Sequence, residues 1–391
     1  MTGVSKDLWQ PGHFADICTM DRKSIGSTSG GNLPYLGLDL VESQTGEILA
    51  FSDEAPVGNS FLFGPQHVLY GKLRPYLNKV AVPDCSGKCS TELVPLLPRN
   101  GVDRDYLAHA LRCQRVVNSV MEKNTGARMP RTDMKYLMSL PLLIPPLDEQ
   151  RRIVDILKRA DSIRRLRKQA LETTRELIPA LFVDIFGDPA TNPRGWEIRP
   201  LGKIVAGLEG GKNIQAGEDS PTNPFRILKV SAVTSGYFRP EEAKPAPDDY
   251  RPPAHHVVHK GDLLFSRANT VELVGATALV EADYPNLLLP DKLWRFVWLK
   301  PSPVLSAYLQ HFLQSRHVRQ VLGQLATGTS DSMRNISQAK LKTLPMPVPP
   351  LKRQQEFEGK CSDVRAVIAQ QEYHLAQAEA LRQSLMAQFF N

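Results

Sequence analysis

Apolar and polar positions follow two alternating regimes along this chain. In the first 147 residues the apolar runs are short: residues 33–40, 68–70 and 92–96 are set off by Gly, Pro, Asn and Asp, the pattern of strands and turns. A helix is predicted over residues 104–120. The segment Leu140-Pro-Leu-Leu-Ile-Pro-Pro-Leu147 then forbids helix and fixes an extended approach. From Asp148, Glu149 and Gln150 onward the pattern turns helical, with acidic residues where the helix dipole favours them. Ile153, Ile156, Ala160, Ile163, Ala170, Thr174, Leu177 and Leu181 fall on alternating spacings of three and four, with Arg167 at the skipped position. A stripe held over about four heptads is a coiled-coil seam. Pro179 is expected to bend or end this helix near its last turn.

The same series then returns. Short apolar runs at 225–230, 261–267 and 293–298 precede a predicted helix over 304–322. Leu344-Pro-Met-Pro-Val-Pro-Pro-Leu351 repeats the first proline segment at an offset of 204. A second stripe follows in Phe357, Cys361, Val364, Ile368, Leu375, Ala378, Leu381 and Leu385, interrupted at Gln371. Tyr106 and His109 recur as Tyr308 and His311, and Thr125-Gly126 as Thr327-Gly328, at an offset of 202. A period this long is no solenoid repeat; a whole domain with its attached helix has been duplicated. The loops between the shared landmarks differ in sequence and length, so one frame is expected to present two different surfaces. Each stripe spans roughly 33 residues, or about 50 Å at 1.5 Å per residue, longer than a small domain is wide. The interruptions coincide at the same offset, Arg167 and Gln371. Antiparallel pairing about a pseudo-two-fold axis would set those two residues face to face as a register mark and make the helix pair a ruler. Leu157, Leu166 and Leu171 fall off the seam and are expected on an outer, partner-seeking face.

Composition narrows the classes. Lys and Arg number 48 against 41 Asp and Glu, a formal charge of +7 on 391 residues, which fits a polyanionic partner. Five scattered cysteines argue against a disulfide framework and for a reducing compartment. The N-terminal segment has no signal-peptide core, and no apolar run approaches the roughly 20 residues of a membrane span, so the expected setting is the cytoplasm, with no membrane. No Pro-Pro pair carries the preceding Asn or Asp and following aromatic of a DNA amino-methyltransferase loop. The nearest approach to a phosphate loop, at residues 207–213, lacks its glycine spacing and its Ser or Thr. Cys85 and Cys89 are half a zinc site at most, and His255, His256 and His259 lack a further ligand, so no metal is expected.

With its proline-bounded helices, the Asp148-Glu-Gln-Arg-Arg-Ile153 helix start, the Gly71-Lys-Leu-Arg-Pro-Tyr-Leu-Asn-Lys79 turn and the paired Thr-Gly loops, the chain resembles the specificity subunit of a type I restriction–modification system. The second copy departs from the pattern at Lys352-Arg-Gln-Gln and at Ser266-Arg-Ala-Asn269. The resemblance implies an α+β fold with an internal pseudo-two-fold repeat: two mixed α/β target recognition domains separated by two long antiparallel coiled-coil helices. The implied boundaries are residues 1–147 and 189–351 for the domains, 148–188 for the central helix and linker, and 352–391 for the C-terminal helix. It further implies a bipartite, asymmetric double-stranded DNA target, two adenine methyltransferase subunits, motor-nuclease subunits joining the assembly, no cofactor and no catalysis by this chain. A methyltransferase-independent DNA-binding decoy or regulator of the same fold is the alternative.

The basic turns supply the candidate contacts. Lys72, Arg74, Asn78 and Lys79 cluster after the strand at 68–70, and Arg128 and Arg131 follow Thr125-Gly126. In the second copy Arg267 and Asn269 occupy the turn, and Thr329, Ser330, Arg334 and Asn335 follow Gly328. Arg reads guanine, Asn reads adenine, and Ser or Thr bonds phosphate or base. The competing reading is a solvated loop whose charges serve solubility, and Lys72 and Arg74 also fit a role in the shared frame.

Overall fold

A computed structural model describes residues 8–26, 33–53, 57–124, 128–214, 222–328 and 333–390; Thr125, Gly126, Thr329 and Ser330 lie outside them. The chain divides into two compact units, Met1–Gln169 with Glu372–Asn391, and Ala170–Gln371. The long helices Leu147–Phe186 and Leu351–Phe390 each contribute a part to both.

In the first unit a four-stranded antiparallel sheet runs in the order Cys18–Met20, Leu93–Pro98, Val68–Gly71, Val80–Ala81. A second has the order Ser24–Ile25, Ser60–Phe63, Gly87–Ser90, Tyr35–Leu36, its last pair parallel. The apolar run at 68–70 is continuous because its alternate residues serve two cores. Val68 and Tyr70, with Val94 and Leu96 beside them, pack with Tyr106, Leu107 and Leu111 of the helix Arg104–Arg112. Leu69 and Leu93 turn the other way, onto Leu36, Phe63 and Cys89. The proline segment is a strand, Pro141–Ile144, antiparallel to Gln10–His13.

The second unit repeats this plan. Val205–Gly210, Leu293–Trp298, Leu263–Ser266 and Thr277–Leu279 form the first sheet. Ala243–Pro245, Arg226–Leu228, Tyr284–Leu288 and Val257–Val258 form the second, with a parallel pair inside it. Pro345–Pro347 lies antiparallel to Ile198–Pro200. The α+β class holds, and Leu293–Trp298 is the strand read from the sequence.

Each predicted domain helix is two. Arg104–Arg112 and Gln114–Glu122 break at Cys113, and Ser306–Gln314 and Arg316–Leu325 break at Ser315, where ψ is 144° and 143°. Side chains take carbonyls that a continuous helix would use: Asn78 Nδ2 donates to Arg112 O (2.9 Å) and Ser315 Oγ to Phe312 O (2.8 Å).

Duplication is clearest in the bonds that dock each domain on its long helix. Buried Gln150 accepts from Asp103 N (2.8 Å) and donates to Gly101 O and Pro145 O (3.3 and 2.9 Å). Buried Gln354 accepts from Leu305 N (2.8 Å) and donates to Pro303 O and Pro349 O (3.1 and 2.8 Å). Tyr106 Oη donates to Leu143 O (3.1 Å), and Tyr308 Oη to Pro347 O (2.7 Å). In the first unit Tyr106 meets the ring of Phe390, 5.4 Å away; in the second Tyr308 meets Phe186 at 4.8 Å.

The helix parts run antiparallel within each unit. Arg382 bonds Asp161 in the first, while Met386, Phe389 and Phe390 join Ile153, Val154 and Leu157 in its core. In the second, Phe182 and Phe186 pack on Phe357 at 5.6 and 5.3 Å. The buried stripe differs from the one read in the sequence. Ile163 and Leu177 are 46% and 47% exposed, whereas Leu157 and Leu171, expected outside, are buried; Leu166 stays outside at 62%. Arg167 is exposed and Gln371 half-buried, with its Oε1 buried and unpartnered. An α-helix drifts about 20° per heptad from a strict 3.5-residue repeat, enough to move the inward position by one residue. Leu381 is likewise exposed and Arg382 turns inward in its place. Pro179 does not end the first helix, which continues to Phe186 because Phe182 and Phe186 are buried beyond it.

Candidate nucleic-acid interface

In the first unit the strand Val68–Gly71 delivers the chain into the basic turn. Gly71 N donates to Lys79 O at 2.8 Å, and a Cβ on Gly71 would sit 2.8 Å from that oxygen, so only glycine closes the turn. Arg74 and Asn78 hold left-handed backbone (φ 52° and 50°) on either side of the short turn Pro75–Leu77. The segment after Thr125-Gly126 zips onto this turn: Thr132 N donates to Lys72 O and Arg74 N to Pro130 O, both at 2.8 Å. Leu73 and Arg131 form the bridge between them. The two clusters separated by about 55 positions in the sequence therefore form one surface. Glu92 lies between their charges, 3.9 Å from Lys72 Nζ and 3.4 Å from Arg131 Nε.

Not every candidate is available there. Asn78 is buried, its amide donated to Arg112 O and toward Gln44 Oε1 (3.4 Å), so it holds the turn and is no reader of bases. Lys79 Nζ is bonded to Leu38 O at 2.8 Å, which makes it a brace for the same turn. Arg74, Arg128 and Arg131 are exposed, and Lys72 is half-buried.

The second unit builds the corresponding surface with the same backbone bonds. Arg267 N donates to Lys292 O (3.0 Å) and Ile336 N to Arg267 O (2.9 Å), matching the bonds of Lys72 to Glu92 and Thr132. Ala268 and Asn269 pair with Asn335 and Arg334. Arg267 is bound on several sides: Nε to Asp291 O (2.6 Å), Nη2 to Asp291 Oδ2 (3.6 Å), Nη1 to Asn335 Oδ1 (3.1 Å), with its guanidinium 5.7 Å from the centre of the Trp294 ring. It orients Asn335, which is exposed. Asn269 Oδ1 caps Thr270 N (2.9 Å), leaving its Nδ2 near Ser266 Oγ at 3.5 Å.

Sequence reasoning missed two groups at these surfaces. Glu92 and Asp291 are the counter-ions that hold the basic side chains in place. Met129 and Met333, 48% and 57% exposed, occupy positions one repeat of 204 apart; Tyr76, read from the sequence as part of the turn, is 45% exposed there. The offset of 204 between the methionines was the available signal. Among the described residues no group of His, Cys, Asp and Glu could hold a metal ion. No helix among them is long and apolar enough to cross a membrane.

Comparison with known proteins bears on this arrangement. Residues 6–173 match the family model of the type I restriction modification DNA specificity domain. The chain is 31% identical over 202 residues to the type I restriction enzyme EcoEI specificity subunit of Escherichia coli, covering 49% of this chain and 34% of that one. Over 313 residues it is 25% identical to the EcoKI specificity subunit of Escherichia coli strain K12, covering 75% and 66%. Residues 6–173 therefore carry a type I restriction modification DNA specificity domain, and the relatives matched along the chain are type I specificity subunits. A further relative, the MjaVIII specificity subunit of Methanocaldococcus jannaschii, is 23% identical over 316 residues, covering 77% of this chain and 72% of the relative. The match thus spans about a third and about two thirds of the two Escherichia coli subunits. The fold is that of specificity subunits as well: a solved type I restriction–modification system aligns with a TM-score of 0.60 at 20% identity, covering 97% of each chain. The S subunit from M. genitalium aligns at 0.54 with 11% identity, covering 98% of this chain and 96% of that one.

Proposed function

We propose that this chain reads a bipartite, asymmetric double-stranded DNA sequence, one half with each unit, and scaffolds two adenine methyltransferase subunits and, through them, motor-nuclease subunits. The observation that supports this most is the duplicated frame carrying unlike surfaces. One set of backbone bonds presents Lys72, Arg74, Arg128 and Arg131 in the first copy, and Asn269, Arg334 and Asn335, steered by Arg267, in the second. Thr329 and Ser330 join the second set by sequence position. Phosphate attraction brings the duplex in, and base edges are then read in the major groove. Met129 and Met333 supply apolar contacts suited to thymine methyls.

On this reading residues 1–147 and 189–351 are the two recognition domains, with residues 148–188 and 352–391 as helices that set the gap between half-sites and carry partners. Arg167 and Gln371 keep their proposed role in register. The chain catalyses nothing itself and uses no cofactor. Exposed Ile163, Leu166, Val183, Val367 and Tyr373 on the long helices favour a scaffold over a partner-free decoy, since a helix without partners gains nothing from bare apolar residues. Methyl transfer from S-adenosylmethionine tests it: the chain alone gives none, and with partner methyltransferase it directs adenine methylation. Transfer by the chain alone would refute the assignment.

A further inference from the structure

The second unit carries an open cleft of about 420 Å³ that the recognition role does not use. It lies where the helices Ser306–Gln314 and Arg316–Leu325 and the strand Thr277–Leu279 approach Arg175 and Arg365 of the long helices. Four of its lining residues each carry a buried polar atom with no protein hydrogen-bond partner: Thr277 Oγ1, Gln310 Oε1, His311 Nε2 and Arg319 Nη1. Thr277 and Gln310 are 0% and 4% exposed. Burying a polar atom unpaired is costly, and a concentration of such atoms around one space points to an occupant that pairs them.

The remaining atoms of these side chains are pinned, so the orphan atoms are fixed in kind. Gln310 Nε2 donates to Gly236 O at 3.0 Å, which leaves Oε1 as the acceptor. Gln314 Nε2 donates to the same oxygen (3.0 Å) and to Thr277 O (3.1 Å). Arg319 Nη2 donates to Glu272 O at 2.5 Å. Burial keeps His311 neutral, its pKa lowered to about 3, so its ring offers one donor and one acceptor. Arg365 adds a second cation, 3.6 Å from the exposed Glu281. The rest of the wall is mixed: Ile178, Phe238 and Leu279 lie beside Tyr237, whose ring is 5.5 Å from the Arg175 guanidinium, and Thr234, Ser235 and Glu272 also line it.

The first copy is an internal control. By the repeat offsets, Gln310 stands where the first copy has Ala108, Arg319 where it has Val117, and Arg365 where it has Asp161. There Asp161 is bonded to Arg382, and Ala108 and Val117 are buried. The first copy also has a polar cleft at this place, lined by His109, Arg112, Lys158, Asp161 and Arg164, but it lacks counterparts of the Gln310 amide and of the Arg319 and Arg365 guanidinium groups, so the second cleft differs in the kind of polar groups it offers.

We infer that this cleft binds a small phosphate-bearing molecule with a flat ring, the chemistry of a mononucleotide. Arg319 and Arg365 meet the phosphate, with the Thr277 hydroxyl as a further donor. Gln310 Oε1 accepts from a ligand hydroxyl or amine, and the ring rests on the Tyr237 and Phe238 wall. The inference is independent of the DNA-recognition reading.

Titration calorimetry on the full chain with adenosine 5′-monophosphate, adenosine and inorganic phosphate tests it. Adenosine 5′-monophosphate binds saturably and about tenfold or more tighter than either fragment, because both halves of the site contribute. Thr277→Val keeps shape and removes the orphan hydroxyl, so it raises the thermal midpoint of the free chain and weakens the nucleotide severalfold. Gln310→Leu weakens the nucleotide while leaving inorganic phosphate unchanged. No saturable nucleotide binding, phosphate binding as tight as the nucleotide, or nucleotide affinity unchanged in both variants would overturn the inference.

Discussion

Replacing Gln354 with methionine keeps the volume of a fully buried side chain and deletes its three hydrogen bonds. The bonds to Leu305 N and Pro303 O are partly buried, so water can recover some of each loss, and each costs about 1 kcal/mol. The bond to Pro349 O is buried, and an orphaned carbonyl there costs about 2 kcal/mol. Against a total of about 4 kcal/mol, the apolar methionine regains about 1 kcal/mol of transfer free energy, leaving a net loss of about 3 kcal/mol. For a unit of this size that is a fall of roughly 6–12 °C in the thermal midpoint. Gln150→Met should match it within about 1 kcal/mol, because the same three bonds recur in the first copy. Gln354→Glu should be worse than methionine, since it buries a charge and retains only an acceptor. Urea titration followed by circular dichroism measures all three. A loss under about 0.5 kcal/mol for Gln354→Met would refute the reasoning, because it would mean the glutamine does not dock the domain on its helix.

Three further outcomes follow from the same structure. Burial lowers the pKa of both His109 and His311 to about 3, below the unfolded value, so the unfolded chain binds more protons between about pH 6.5 and 3. Stability should be full above pH 6.5 and fall as pH drops through that window; a flat urea midpoint from pH 7 to 5 would contradict it. Burial pushes the thiols of Cys18 and Cys89 up to about 12 and that of Cys361 to about 11, so a thiol reagent at pH 8 should label half-exposed Cys85 first and those three only on unfolding; equal rates would count against the packing. Glu92→Gln should free the charges of Lys72 and Arg131, strengthening nonspecific DNA binding and steepening its salt dependence by about one unit, measured by fluorescence anisotropy; unchanged binding would place those side chains off the DNA.

Much of the fold was legible because it was written twice. The proline segments, the long helices and the strand 293–298 are local patterns, and repetition at a fixed offset distinguishes them from chance. What sequence missed depends on partners distant along the chain. The breaks at Cys113 and Ser315 arise where the backbone turns extended and side chains such as Asn78 take over helix carbonyls, which periodicity alone does not reveal. The seam was displaced because a regular 3-and-4 count ignores helical drift over 40 residues. Within the basic clusters read from the sequence, Asn78 and Lys79 are braces, since a polar side chain in a tight turn is often needed by the turn itself. The pairing of Lys72 and Arg74 with the segment around Arg131 needed the structure.

The most direct test of two-unit reading is a map of methylated adenines. The chain and its Arg128→Ala/Arg131→Ala variant would each be expressed with partner methyltransferase in a methylation-free host and the genomes read by single-molecule sequencing. The unaltered chain should yield one motif with two specific halves and an unspecific gap. The variant should relax or lose preference in one half and leave the other half and the gap unchanged. A single contiguous motif, or equal loss in both halves, would contradict the account.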